Sequence, residues 1–136
     1  MRVRVDDYGF VPERAHATDA GMDIKACDDA VVPAHGNKVF RTGVHVELPP
    51  MTAGVLVSKS GLNVNHNITS TGLIDEGYTG EVMVKLYNYG DADYRVKRGD
   101  KISQLVVVPV WYEAVELVDE LGETDRGNNG FGSTGK

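Results

Sequence analysis

Four short stretches of this 136-residue sequence carry side chains fit for phosphate or acid–base chemistry. Ser58-Lys59-Ser60-Gly61 follows the apolar run Val55 to Val57 and sets a cation, two hydroxyls and a glycine at a strand end. Such a corner can cradle phosphate through side-chain and backbone donors. It is not a P-loop of the Walker type, because Ala53 and Ser58 occupy the positions that need glycine. The plainer reading is a polar turn.

In Gly72-Leu73-Ile74-Asp75-Glu76-Gly77-Tyr78-Thr79-Gly80-Glu81 a carboxylate stands directly after two apolar residues and before a tight turn with an aromatic. That placement holds Asp75 at a strand end, and a general base needs position before its pKa matters. An aspartate there can equally cap the turn through its own backbone. Gly99-Asp100-Lys101-Ile102-Ser103-Gln104-Leu105 leaves a turn and carries Gln104 into apolar surroundings, where an amide needs partners or costs about 1–3 kcal/mol. Asp23, within Ala20-Gly21-Met22-Asp23-Ile24-Lys25-Ala26, poses the same question for an acid.

The elements that must position these groups are strands. No stretch sustains apolar residues at helical spacing, whereas short β-branched runs recur between turns. Val44, Val46 and Leu48 alternate with His45 and Glu47, and Val82, Val84 and Leu86 alternate with Met83 and Lys85. Leu105 to Val110 is apolar throughout, which predicts a strand covered on both faces, in a sandwich centre or at a subunit interface. Turn sequences at residues 19–21, 34–37, 48–50, 75–77 and 89–91 separate the strands. The expected fold is all-β, a barrel or jelly roll, with at most one short helical turn over Ser60 to Asn65.

Composition limits the function. A net charge of −6 with a pI near 5.1 excludes a broad nucleic-acid-binding face, yet leaves room for a small polyphosphate held by local cations and a metal ion. No apolar run nears membrane-spanning length, and MRVRVDDYGF carries acids where a secretory leader is apolar, so the expected compartment is the cytoplasm. Cys27 is the lone cysteine and is expected to fill space. His16, His35, His45 and His66 show no metal-ligand spacing and read as surface or satisfied core residues. One domain is expected over residues 1–121, followed by a glycine-rich arm over 122–136 that composition alone reads as a mobile tail.

Taken together, these segments resemble the dUTP diphosphatase family, whose five ordered motifs match AGMDIKA, SKSG, GLIDEGYTGE, GDKISQLV and RGNNGFGSTG. The resemblance runs from Ala20 to the C-terminus, and the third and fifth motifs together are highly specific. It implies a distorted jelly-roll barrel, a homotrimer, Mg²⁺ as cofactor and hydrolysis of dUTP to dUMP and pyrophosphate by water attacking the α-phosphorus. Asp75 would be the base and would contact the deoxyribose 3′-hydroxyl, with Gln104 near the α-phosphate and the attacking water. Lys59, Ser60 and Gly61 would hold the triphosphate, and Asp23 would reach Mg²⁺ through water. Tyr78 would exclude a 2′-hydroxyl, while a pocket over about Asn67 to Gly72, with Gly72 and Ile74, would read uracil. Arg126, Gly132, Ser133 and Thr134 would grip the outer phosphates as Phe131 stacks on the base, the stretch from Arg126 to Thr134 closing only over bound nucleotide. Each site would combine motifs from three subunits.

Lys59 stands where the family commonly has arginine, the Gly61–Gly72 connection is short, and Asn128-Asn129 replaces glycines. An ammonium serves phosphate as a point charge rather than a bidentate fork. Two rival readings remain. A dCTP deaminase shares the fold and trimer but does not usually pair these third and fifth motifs. A nucleotide-gated regulatory protein is the other, since some phage members bind protein partners.

Overall fold

The computed structural model describes residues 1–128. It is all-β with one short helix: β1 (Arg2–Val5), β2 (Met22–Lys25), β3 (Ala30–Val32), β4 (Asn37–Phe40), β5 (Val44–Glu47), β6 (Thr52–Val57), α1 (Ser60–His66), β7 (Ile68–Ile74), β8 (Val84–Asn88), β9 (Tyr94–Val96) and β10 (Lys101–Pro109). Six strands form one antiparallel sheet in the order β2-β10-β6-β7-β8-β4, and the pairs β1-β5 and β3-β9 complete a curled half-barrel of jelly-roll type.

The expected alternations become its core. Val44, Val46 and Leu48 are buried, as are Val82, Val84 and Leu86, while Glu47 and Met83 face outward. They join Ile24, Phe40, Leu56, Ile68, Ile102 and Leu105 in one apolar cluster that fixes the curvature of the sheet. Cys27 fills space within the wall, and burial pushes its thiol pKa up.

Two strand-level expectations change. β10 lies centrally, between β2 and β6, and Ile102, Ser103 and Leu105 are buried. From Val106 to Val108 it is only half-covered among the described residues, and it ends at Pro109. The helix is a full seven residues rather than one turn. It stops at Asn67, whose left-handed φ of 55° suits asparagine and whose N–H closes onto the carbonyls of Asn63 and Leu62.

Regular structure ends at Pro109, and residues 110–121 form neither helix nor strand. Along them Trp111, Val115, Leu117 and Leu121 are each more than 80% exposed. Among the described residues, no helix is long and apolar enough to cross a membrane.

Candidate active site

Sheet register builds the first half of the site. Gln104 on β10 stands opposite Asp23 on β2 and Val57 on β6, and Val57 stands opposite Thr71 on β7. β6 therefore ends beside Asp23, and the chain turns there into α1. Ser58 secures the corner: its hydroxyl accepts from the Ser70 N–H at 2.9 Å and lies 3.1 Å from the Ser70 carbonyl. A buried Ser70–Ser103 hydroxyl contact of 2.8 Å, with Ser103 donating to the Val57 carbonyl, ties β6, β7 and β10 beneath it. The corner thus displays Lys59, Ser60 and Gly61 from a fixed base.

Asp23 is buried, and both its oxygens are occupied. Lys59 Nζ lies 2.5 Å from Oδ1, Lys101 Nζ lies 2.6 Å from Oδ2, and Gln104 Nε2 stands 3.5 Å from Oδ1. Burial pushes the Asp23 carboxyl up, but the hydrogen bonds from Lys101 and Lys59 outweigh it and hold the acid below its ordinary range. Gly21 packs closely here: a Cβ would sit 3.0–3.4 Å from the Gln104 side chain, which would have to give way slightly. The sequence reading named Asp23, Lys59 and Gln104 but missed Lys101. Its signal was the need of a buried aspartate for a second counter-charge, which only the β2–β10 pairing could place.

The second half is the turn after β7. Asp75 follows the last residue of that strand, is exposed, and accepts the Tyr78 N–H on its carbonyl at 3.0 Å. Tyr78 donates its hydroxyl to the Glu81 carbonyl and folds across Gly80, where a Cβ would come within 2.4 Å of the phenol oxygen. A cavity of about 240 Å³ opens beside it, walled by Leu56, Gly72, Leu73, Ile74, Asp75, Tyr78 and Met83. Of the stretch 67–72 only Gly72 lines this cavity; Ile68 to Ser70 pair with β8 and Thr71 with β6. A cavity of about 300 Å³ beside Arg2, Arg4, His45 and Glu47 is larger but touches this turn only at Thr79 and contains none of the candidate residues.

The turn is braced from behind. Glu81 accepts the backbone N–H groups of Thr42 and Gly43 and pairs with Arg41 at 3.0 Å. Burial pushes the Glu81 carboxyl up, yet these donors, led by the Gly43 N–H, bring it below the ordinary range. His45 contacts the Thr79 carbonyl with Nδ1 and Asp6 with Nε2, so it is a satisfied histidine with a bracing role. Tyr8 completes the bracket, donating to Asp6 and to Glu81, and burial pushes its hydroxyl up to about 12. Next to Asp75, Glu76 accepts the Met51 N–H at 2.9 Å and the Tyr112 hydroxyl at 2.6 Å.

One chain keeps the two halves apart. Asp75 lies four residues beyond Thr71 along β7, roughly 13 Å, and β7 is three strand spacings, roughly 14 Å, from Asp23. Arg126 falls in the described residues beyond the sheet, whereas Phe131, Gly132, Ser133 and Thr134, and with them most of the expected closing arm, lie outside them.

The family model for dUTPase matches residues 7–135. This chain belongs to the dUTPase family. It is 44% identical over 135 residues to the deoxyuridine 5'-triphosphate nucleotidohydrolase of Clostridium acetobutylicum, covering 97% of this chain and 93% of that one. It is also 44% identical over 131 residues to the enzyme of that name from Eremothecium gossypii, covering 95% and 86%. Among solved structures, the dUTPase of Staphylococcus bacteriophage 80alpha with dUpNHpp superposes with a TM-score of 0.93 at 30% identity, over 99% of this chain and 98% of that one. A mutant dUTPase from phage phi11 of S. aureus, described with a structural Mg(II) ion, matches at 31% identity with a TM-score of 0.80, over 88% and 96%.

The described residues bear on the metal expected of this family member. They hold no cluster of three or more His, Cys, Asp or Glu side chains able to cage a cation. Asp23 is the buried carboxylate of this cluster, and it could meet a hydrated ion such as Mg²⁺ only on an oxygen that an ammonium group vacates.

Proposed function

We propose that this chain hydrolyses dUTP to dUMP and pyrophosphate. Family membership over nearly the whole chain supports the activity. The observation that carries the mechanism is Asp75, an exposed carboxylate fixed at a strand end on the wall of a cavity smaller than the roughly 300–1,000 Å³ of drug-sized pockets. That space suits one base with its sugar.

Uracil and deoxyribose occupy this cavity, with Gly72 and Ile74 at the base and Tyr78 against the sugar, where it leaves no room for a 2′-hydroxyl. Asp75 takes the proton of a water, whose oxygen attacks the α-phosphorus in line. The bond from that phosphorus to the bridging oxygen breaks, and pyrophosphate leaves. Lys59, Ser60 and Gly61 hold the triphosphate, and Gln104 orients the water and the α-phosphate. Arg126 grips the outer phosphates, with Gly132, Ser133 and Thr134 completing that grip and Phe131 stacking on uracil. Asp23 would hold Mg²⁺ through water, and the ion would supply positive charge against the triphosphate. Positioning and charge stabilisation supply most of the acceleration.

A base must come within hydrogen-bond reach of its water. Because Asp75 and the Asp23–Gln104 row are far apart within one chain, the reading requires that another copy bring its turn to this cluster. The apolar stretch 110–121 and the half-covered end of β10 support a homotrimer in which these surfaces are covered. The lone buried thiol suits a reducing compartment such as the cytoplasm. A regulatory protein partner is a second role, suggested by phage relatives described as controlling transfer of virulence genes.

The test is pyrophosphate release from dUTP, UTP, dTTP and dCTP with Mg²⁺, alongside sedimentation of the protein. Selective release from dUTP by a three-chain species is expected. Ammonia from dCTP would favour a deaminase, and dUTP bound but left intact would favour a purely regulatory role.

A further inference from the structure

The two lysines on Asp23 are not equivalent. Lys59 reaches Oδ1 from the corner between β6 and α1, beside the hydroxyl and glycine proposed to receive the triphosphate. Lys101 reaches Oδ2 from the first residue of β10, whose backbone is paired with Lys25 of β2. The turn before it is anchored to the end of β2 as well, since Ala26 N–H donates to the Asp100 carbonyl at 2.9 Å and Gly99 N–H to the Ala26 carbonyl at 2.8 Å. One cation therefore projects from a corner facing the substrate, and the other is fastened to the same two strands that carry Asp23.

A carboxylate as buried as Asp23 is strongly disfavoured without a counter-charge. If Lys59 were its sole partner, moving that ammonium to a phosphate would strand the acid. With Lys101 in place the departure leaves a neutral pair. Resting on the dUTP-hydrolysing reading, we infer that Lys101 is a positioning residue: it is the permanent partner that holds Asp23 in place while Lys59, parked on Asp23 in the free protein, is handed over to the triphosphate. Lys101 acts through Asp23 and does not touch the nucleotide. Lys59 then serves as a stored cation released only by a competing anion, and the chain's lysine in this position suits the task, since one flexible point charge exchanges partners more readily than a planar fork.

The inference separates the two lysines experimentally. Thermal melting of the nucleotide-free protein and calorimetric binding of dUpNHpp with Mg²⁺ and of dUMP are compared for wild type, Lys59→Met, Lys101→Met and Lys101→Arg. Lys59→Met is expected to melt within about 2 °C of wild type, to bind dUpNHpp about tenfold more weakly, and to bind dUMP within about twofold. Lys101→Met is expected to melt roughly 5 °C lower, and Lys101→Arg to regain most of that. If Lys101→Met does not fold, the double variant Asp23→Asn/Lys101→Met should fold and melt within about 2 °C of Asp23→Asn. A double variant that still fails would show that Lys101 serves the fold independently of Asp23, and the inference would fall. It also falls if Lys59→Met destabilises the free protein as much as Lys101→Met does. Wild-type protein that neither binds dUpNHpp nor cleaves dUTP would instead remove the functional reading, while the melting comparison would still decide how Asp23 is held.

Discussion

The two acidic centres of this molecule are held by opposite means. Asp23 is buried and fixed by charge, with an ammonium group on each oxygen. Asp75 is exposed and fixed by backbone, on a turn braced from behind by Glu81, His45 and Tyr8. Burial among cations makes a carboxylate permanently ionised and part of the stability of the fold. Exposure on a rigid turn leaves it within reach of solvent. Under the proposed function, the residue that holds charge and the residue that takes a proton thus have different surroundings on one sheet.

The contrast breaks most sharply in paired amides. Asp75→Asn should lower turnover about 1,000-fold or more while leaving melting within about 2 °C and dUpNHpp affinity within about threefold, as read by pyrophosphate release, calorimetry and thermal melting. Asp23→Asn should behave differently. It should lower kcat/KM about 10–100-fold and also cost about 2 kcal/mol of stability, a figure reduced because both lysines keep part of their water.

The Asp23 effect has a pH signature of definite sign. The folded pKa is lowered, so the pairing contributes fully above the ordinary aspartate value of 3.8 and is lost as pH falls through the lower folded value. In urea titrations wild type and Asp23→Asn should therefore differ at neutral pH and converge in strong acid. A gap that stays constant down to the acid limit would contradict the charge-held description of this centre.

Smaller changes sharpen the account of the Asp75 turn. Gly80→Ala places a methyl 2.4 Å from the Tyr78 hydroxyl oxygen, so the ring must swing off the cavity. Preference for dUTP over UTP should drop roughly tenfold, measured as the ratio of kcat/KM values. Tyr112→Phe removes only the hydroxyl that Glu76 accepts, and kcat/KM should change by no more than about twofold.

What could be read from the sequence was local. The alternation at residues 44–48 and 82–86 marks buried faces because a strand's side-chain period is two, and the structure buries those faces. Asp75 at a strand end, Gln104 and Asp23 in apolar surroundings and the corner at Lys59 are each visible as a polar residue placed against an apolar run. Lys101 was not, because its partner is set by the antiparallel register of β2 and β10, which joins positions far apart in the chain. The bracket of Asp6, Tyr8, Arg41, His45 and Glu81 was hidden for the same reason, and His45 read as an isolated histidine. The end of β10 left two covers open, a sandwich centre or a subunit interface, because a continuous apolar run does not say whether the cover comes from its own chain; within this chain Val106 to Val108 are half-covered.

Val115 and Leu117, each almost wholly exposed on a stretch without helix or strand, carry a practical consequence. Greasy backbone of this kind is what proteases cleave and what vessel walls adsorb once dilution separates the copies proposed to cover it. Handling losses should therefore fall most heavily on the thinnest solutions, and a nick between Trp111 and Leu121 would detach the glycine-rich end while leaving every strand of the sheet intact.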